Sequence, residues 1–552
     1  MKEKRGVVKD ILVLTAVCYA FFMLGNSMLN LTNPDEVFYS GTAKEMMQKG
    51  TWSVPILFGE PQFEKPILTY WLLRLGFEVF GISNFSARIF PAIFGFLGVM
   101  AVYLFAYSAW RQRKRAFLCA LILAGSGFYI GMARTVFTDM IFSVFITLAL
   151  AAFYAGYIRP KAKAAGILLF FIFSGLAVLA KGPLGIMISL FTVLLFLALR
   201  KELKFMVTPV TALGFLVFLV ISVPWYALMI KDYGSAFIQE FFYNDHVRRL
   251  IEAEHPSNDT WYFYPGTAVA CMAPWTVFVL AALGEFLRRF KNKISSPENL
   301  FLLCWIASVF LAFQFAHSKL ISYILPVFPA LAVLTGSYIY DRLSNGRTRP
   351  ILVASFVTWV LLLFFPAGLL FSANKYSKYI VDLTPIYIFI GVLALVLAGM
   401  LIFLLKKKLF GYIYLLSACV PLLLFFVFFA HKDYEDHVSS KNAAEYLMKN
   451  HKVDNTILSS KIFVRGVRFY TEKPMAVVAG GYGTKNFFSP HPIPYLDSVE
   501  SVENFLRKQK ITYCIISKSS YGFLEGTMKG RPFKFEKLNL IGDEYIIRIE
   551  AL

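Results

Sequence analysis

Two adjacent carboxylates, Asp35 and Glu36, stand in the segment NPDEVFYSGTAKEMMQKG, a few residues after an apolar run at 11–31. A carboxylate can take or return a proton in general acid–base chemistry when it is held against the reacting group. The pair is also sound local chemistry. Asn33 suits a helix cap, Pro34 a first helical position, the two acids the positive N-terminal end, and Gly50 the close. What decides between these readings is what else lies nearby. Tyr39 follows, and FGEPQFEKPILTYW supplies Glu60, Glu64, Lys65 and Tyr70. Arg134 and Asp139, then Lys181, then Asp245, His246, Arg248, Arg249 and His255, and finally His317, Lys319 and Tyr323 occupy further breaks between apolar runs. Acids, bases and cations at several separate membrane exits point to one polar cavity at the bilayer edge, where an ionisable group is by default a functional hypothesis. Singly, each has a plainer use: lysines snorkel to headgroups, Arg134 and Asp139 form a structural ion pair, and tyrosines join the interfacial belt.

The elements that position these groups are membrane helices. The chain has 552 residues, 58% hydrophobic, with a mean hydropathy of +0.61, which excludes an ordinary soluble protein. Apolar runs give about thirteen spans: 11–31, 89–109, 116–132, 137–158, 165–180, 183–199, 207–229, 267–287, 299–315, 320–340, 350–371, 384–405 and 409–430. The break at AKGPLG also fits one interrupted helix. The first run follows MKEKRGVVK and lacks a small-x-small cleavage site, so it reads as a retained anchor. The net charge of +21 is not a nucleic-acid footprint, because the basic clusters recur at alternate connections. Arg111–Arg115, Arg159–Lys163, Arg200–Lys204, Arg288–Lys293, Asp341–Arg349 and Lys406–Lys408 all fall on the side of the N-terminal Lys2–Lys9 cluster. That is the positive-inside pattern; it places the N-terminus in the cytoplasm and the acidic-pair loop outside.

Two outer loops are long, 32–88 and 230–266, and rich in aromatics. The first carries helical signals near 34–49 and 66–80, with Pro66 as start and Gly81 as stop. A helical membrane domain over 1–430 is followed by 431–552, which reads as a small extracytoplasmic α/β domain. SSKNAAEYLMKN and DSVESVENFLRKQK are its helices, the latter boxed by Asp497 and Glu500, and NTILSSKIF, ITYCIISK and EYIIRIE its strands. AGGYGTKN has glycines without a strand–GxGxxG–helix context. The six cysteines are scattered and imply no disulfide framework.

The run DEVFYSGTAKEMMQKGTWSVPILFGEPQFEKPILTYW, supported by ARTVFTDM, AKGPLG, NDHVRR and SKLISYILPVFPAL, resembles the bacterial ArnT-like glycosyltransferases of the protein O-mannosyltransferase superfamily. The resemblance covers the chain to about residue 340. It implies a GT-C fold of about thirteen transmembrane helices in a bacterial inner membrane. The implied activity moves a sugar from a polyprenyl (undecaprenyl) phosphate to an extracytoplasmic lipid, glycan or protein, by inverting displacement. Carried onto this chain, Asp35 is the catalytic carboxylate, with Glu36 and Asp139 as further acidic candidates. Lys65, Arg248, Arg249, Lys319 and Tyr323 would hold the lipid phosphate, with Tyr39 and Tyr70 beside them. Glu64 and His246 are the positions at which the resemblance permits a divalent metal without requiring one. In one respect the chain departs. Lipid A-modifying members usually carry Arg before the tyrosine of the first motif, and this chain has Phe38, which weakens the case for a phosphate acceptor. A protein O-mannosyltransferase is the nearest alternative. A transporter of lipid-linked sugars would instead require inverted repeats and polar groups at the midplane, and a glycan receptor would work through 431–552 alone.

Overall fold

A computed structural model describes residues 2–377, 379–478 and 493–552. Among them, nine helices are long and apolar enough to cross a membrane, from Arg5–Met23 to Thr384–Leu405. Arg113–Ala124 and Gly127–Ala133 make a further span bent by 68°, and Leu184–Arg200 and Leu409–Leu422 are shorter apolar helices. The chain is thus a multi-pass helical membrane protein. AKGPLG separates two helices, Lys163–Lys181 and Leu184–Arg200, with Gly182 at φ +114°. One continuous core joins the spans, from Leu14 and Phe22 to Tyr412 and Leu416.

The first long loop forms a compact platform on this bundle. Its helices run Asp35–Gln48 and Leu68–Phe80, and Gly81 stops the second at φ +74°. Between them lies a two-residue hairpin, β1 (Ile56–Leu57) paired antiparallel with β2 (Glu60–Pro61). Phe58 and Gly59 both have positive φ at its tip, the backbone that fits the twist of a tight hairpin. The Gly59 amide donates to Glu45 Oε2 at 2.7 Å, which lays the GEPQFEK segment along the Asp35–Gln48 helix.

Residues 441–552 build a six-stranded sheet: β3 (Ile457–Ser460), β4 (Met475–Val478), β5 (Tyr495–Leu496), β6 (Ile511–Ile516), β7 (Phe533–Ile541) and β8 (Glu544–Ala551), in the order β5-β4-β3-β6-β8-β7. β5, β4, β3 and β6 are parallel neighbours; β8 and β7 add antiparallel. Strand alternation sends Cys514 and Ile516 to one face and Ile515 to the other, so apolar clusters form on both. One expected cap differs. The box on Val499–Gln509 is made by Ser498 and Ser501, not Asp497 and Glu500. AGGYGTKN lies outside the described residues.

Asn33 does not cap its helix; its side-chain amide donates to Ser440 Oγ at 2.7 Å, and Ser440 Oγ donates to Glu544 Oε1 at 2.6 Å. This chain of hydrogen bonds joins the first loop to the sheet. Burial pushes the Glu544 carboxyl from an ordinary 4.5 up to about 8. The folded chain therefore holds this proton more tightly than the unfolded one. The carboxyl contributes stability that is complete below pH 4.5 and lost as pH rises through about 8. Glu544→Gln is expected to flatten that loss, seen as a thermal unfolding midpoint in detergent that no longer falls between pH 5 and 9.

Candidate functional site

The first and second long loops meet through charge. Lys65 Nζ donates to both oxygens of Asp245, at 2.7 and 2.8 Å, and to its neighbour's carbonyl at Glu64. Arg249 Nε reaches the same carboxylate at 3.1 Å, Glu254 at 3.2 Å through Nη1, and the Tyr323 hydroxyl at 2.7 Å. Lys181 pairs with Asp139 and lies 4.0 Å from the centre of the Tyr323 ring. A single buried network thus runs from Asp139 through Lys181, Tyr323 and Arg249 to Asp245 and Lys65. Burying these charges is tolerable only because each is matched.

Asp35 differs from every other carboxylate there. It is open to solvent, and no hydrogen bond or ion pair reaches its carboxylate among the described residues. Burial nevertheless raises its pKa, opposed by Arg465 and reinforced by Glu64, Glu254 and Asp139. Asp35 is thus accessible yet has charged groups of the protein near it on several elements. It has the attributes of a base: reachable, uncommitted and made more basic by its surroundings.

Its sequence neighbour is spent. Both oxygens of Glu36 accept from Arg88, at 2.8 Å from Nε and 2.6 Å from Nη2, and also from the backbone amides of Thr32 and Val136 at 3.0 Å. Burial opposes the charge of Glu36, yet the Arg88 guanidinium outweighs it and holds the carboxyl below its ordinary value. The catalytic reading of Glu36 is therefore corrected: helical geometry turns adjacent side chains about 100° apart, and this one faces the bundle.

Other expected residues divide similarly. Tyr39 is buried, its ring 6.2 Å from that of Tyr70, and burial drives its hydroxyl pKa well up. Tyr70 is fully enclosed and accepts from Gln62 Nε2 at 2.8 Å, so it is a support under the site and not a surface for phosphate. Arg248 turns to Glu252 at 3.0 Å, and Lys319 to Asp259 and the Thr260 carbonyl, both at 3.1 Å. These two do not enter the Lys65–Arg249 network. Asp139 is held by Lys181, while Arg134 donates to the carbonyls of Phe21 and Leu24.

Glu64 and His246, where the resemblance permits a metal, each meet a protein group. Glu64 faces a cation, Arg465, at 3.3 Å. His246 Nδ1 contacts the Phe241 carbonyl at 2.7 Å, and its Nε2 lies so close to Gly182 that a Cβ there would stand 2.6 Å away. Among the described residues no three His, Cys, Asp or Glu side chains are gathered for a metal ion.

Two participants went unread in the sequence, Glu254 and Arg465. The only signal for Arg465 is its neighbour Gly466, where a Cβ would stand 2.1 Å from Asn33 Oδ1.

Residues 7–233 match the family model described as dolichyl-phosphate-mannose-protein mannosyltransferase. The chain is also 32% identical over 337 residues to the undecaprenyl phosphate-alpha-4-amino-4-deoxy-L-arabinose arabinosyl transferase of Yersinia enterocolitica. The chain is similar to both. That Yersinia alignment spans 59% of this chain and 58% of the relative; one of the same name from Pseudomonas fluorescens is 30% identical over 62% and 58%. The ArnT-like fold extends further than the sequence match. The crystal structure of ArnT from Cupriavidus metallidurans bound to undecaprenyl phosphate superposes with a TM-score of 0.78 at 20% identity, covering 98% of this chain and 97% of that one.

Arg88→Met strands the buried Glu36. Unfolding in detergent should show a loss of about 3–5 kcal/mol, and Arg88→Met combined with Glu36→Gln should recover part of it.

Proposed function

We propose that this chain is a glycosyltransferase of the bacterial inner membrane that moves a sugar from a polyprenyl phosphate donor of the undecaprenyl type to an extracytoplasmic acceptor. The observation that carries the reading is the contrast at the cleft. Asp35 is an uncommitted, accessible carboxylate, set against a paired network that presents Lys65, Arg249 and Lys181. A family model of lipid-phosphate-dependent mannosyltransferases and relatives named for undecaprenyl phosphate-linked aminoarabinose support the same donor class. The basic clusters at alternate connections support a cytoplasmic N-terminus, with the cleft and the C-terminal domain on the opposite face.

The step balances simply. Asp35 accepts the proton of an acceptor hydroxyl as its oxygen attacks the anomeric carbon. The new C–O bond forms as the bond from that carbon to the phosphate oxygen breaks, and the electron pair departs with the polyprenyl phosphate. Lys65 and Arg249 receive the growing negative charge by exchanging part of their hold on Asp245 for phosphate oxygens. Donors fixed in a water-poor site before the reaction are each worth about 3 kcal/mol. Tyr323, already bonded to Arg249, keeps that guanidinium aimed during the exchange.

The donor sugar supported best by the relatives is 4-amino-4-deoxy-L-arabinose; the acceptor group is a hydroxyl, in keeping with Phe38, carried on an envelope lipid, with mannosyl transfer to protein as the alternative. In a detergent assay with undecaprenyl-phosphate aminoarabinose and purified lipid A, Asp35→Asn should lower kcat by about 10²–10⁴-fold and leave donor binding intact. Lys65→Met should weaken undecaprenyl phosphate binding and lower turnover by about 10²–10³-fold. Normal turnover by Asp35→Asn would remove it from the mechanism. Transport of the lipid-linked sugar without transfer would support a flippase instead.

A further inference from the structure

Arg465 reaches the cleft from the C-terminal domain, not from a membrane loop. Its helix, Val464–Thr471, lies along Asp35–Gln48 and is fastened there. Lys44 bridges to Glu472 at 2.7 Å and donates to the Phe469 carbonyl at 2.7 Å, and Arg468 pairs with Glu45 at 2.8 Å. Gly466 leaves room for the Asn33 side chain, whose Oδ1 would stand 2.1 Å from a Cβ there. Held in this way, the Arg465 guanidinium stands 4.3 Å from the centre of the Phe38 ring and 3.3 Å from Glu64. Phe38 is three residues beyond Asp35 on the same helix, hence on the same face one turn along. The guanidinium therefore overhangs the face that carries Asp35. Glu64, Glu254 and Asp139 also stand near that carboxylate, with Asp139 paired to Lys181 and Glu254 to Arg249. Lys461 stands behind Arg465, near Glu254.

We propose that Arg465 is a positioning residue for Asp35, and that the C-terminal domain docks on the membrane loops in order to hold a guanidinium beside the attacking carboxylate. Phe38 supplies a flat seat for it and Glu64 a tether. Without this cation Asp35 would lose the guanidinium that offsets the raising effect of burial, and would hold its proton more tightly. The domain is thus a working part of the site, supplying from more than four hundred residues away a charge that the first loop itself lacks at Phe38.

The inference rests on Asp35 serving as the base of the proposed transfer, but its main test does not need the reaction. Full-length protein in detergent is treated with a water-soluble carbodiimide and glycine ethyl ester, which label protonated carboxyls, and labelling of Asp35 is followed by peptide mass spectrometry against pH. Removing the cation raises the affinity of Asp35 for its proton, so Arg465→Gln should move the labelling midpoint up by about one pH unit or more. Arg465→Lys should restore the wild-type midpoint. Arg465→Met, which keeps the contact with Phe38, serves the same purpose if glutamine impairs folding. Arg468→Gln loosens the dock at Glu45 without removing the guanidinium and should move the midpoint less than Arg465→Gln does. In the transfer assay, Arg465→Gln should lower kcat at neutral pH, recover as pH rises, and leave KM for undecaprenyl-phosphate aminoarabinose unchanged. An unmoved midpoint in Arg465→Gln, or an equal shift in Arg468→Gln, overturns the positioning role. A shifted midpoint in a protein whose wild type transfers nothing upholds the positioning and overturns the transferase reading instead.

Discussion

Asp245 is gripped from two sides, by Lys65 of the first loop and Arg249 of the second, and the architecture of the cleft follows from that clasp. A cation and an anion taken out of water at the membrane edge each cost several kcal/mol unless they meet in good geometry. Here the carboxylate receives three N–H donors from two chain segments 180 residues apart, so neither loop can move without stranding a charge. Arg249 passes the constraint to Tyr323 and Glu254, and Lys181 with Asp139 closes the far side. The cations are therefore in place, and already desolvated, before a substrate arrives. A phosphate entering such a site exchanges one anionic partner for another and does not have to organise the cations itself, which is the economy of preorganised electrostatics.

Against that closed set of pairs the isolation of Asp35 acquires meaning. A carboxylate engaged by a guanidinium on both oxygens, as Glu36 is by Arg88, has neither the lone pairs nor the basicity to take a proton. One residue earlier the carboxylate is left open, in a setting where burial and like charges strengthen its hold on a proton while an arginine keeps that tendency in check. The two acids that look interchangeable in sequence have been given opposite tasks by a rotation of about 100°: one fastens the helix to the bundle, the other faces the cleft.

Much of the scaffold was legible because its signals are local. The apolar runs, the stop at Gly81, the break at Gly182 and the strand alternation of ITYCIISK are each written within a few residues. The side chains that share the cleft were legible as a set of types at membrane exits, but their pairing was not. Asp139 beside Arg134 in sequence turned out to be held by Lys181, because the next apolar helix brings that lysine back to the same level. Lys319 and Arg248 carry the right charge and face other partners: Lys319 lies on irregular backbone, and Arg248 follows a π-helix, Ile238–Val247, whose wider turn departs from the α-helical period. Asn33 looked like a cap and became a tie to Ser440, and Arg465 left no trace beyond an adjacent glycine. What escaped were contacts across hundreds of residues, which depend on how two folded units meet and not on the pattern within either.

The central claim is that groups scattered along the chain form one receptor for a lipid phosphate, with Asp35 facing the sugar. Its most direct test is a cryo-electron microscopy structure of the full-length chain in a lipid nanodisc with undecaprenyl phosphate. The account requires the phosphate to lie within hydrogen-bonding distance of Lys65 and Arg249, with the prenyl chain leading into the bilayer and Asp35 opening onto the space beyond the phosphate. Density for the phosphate at another place, with the Lys65–Asp245–Arg249 clasp undisturbed, would contradict it.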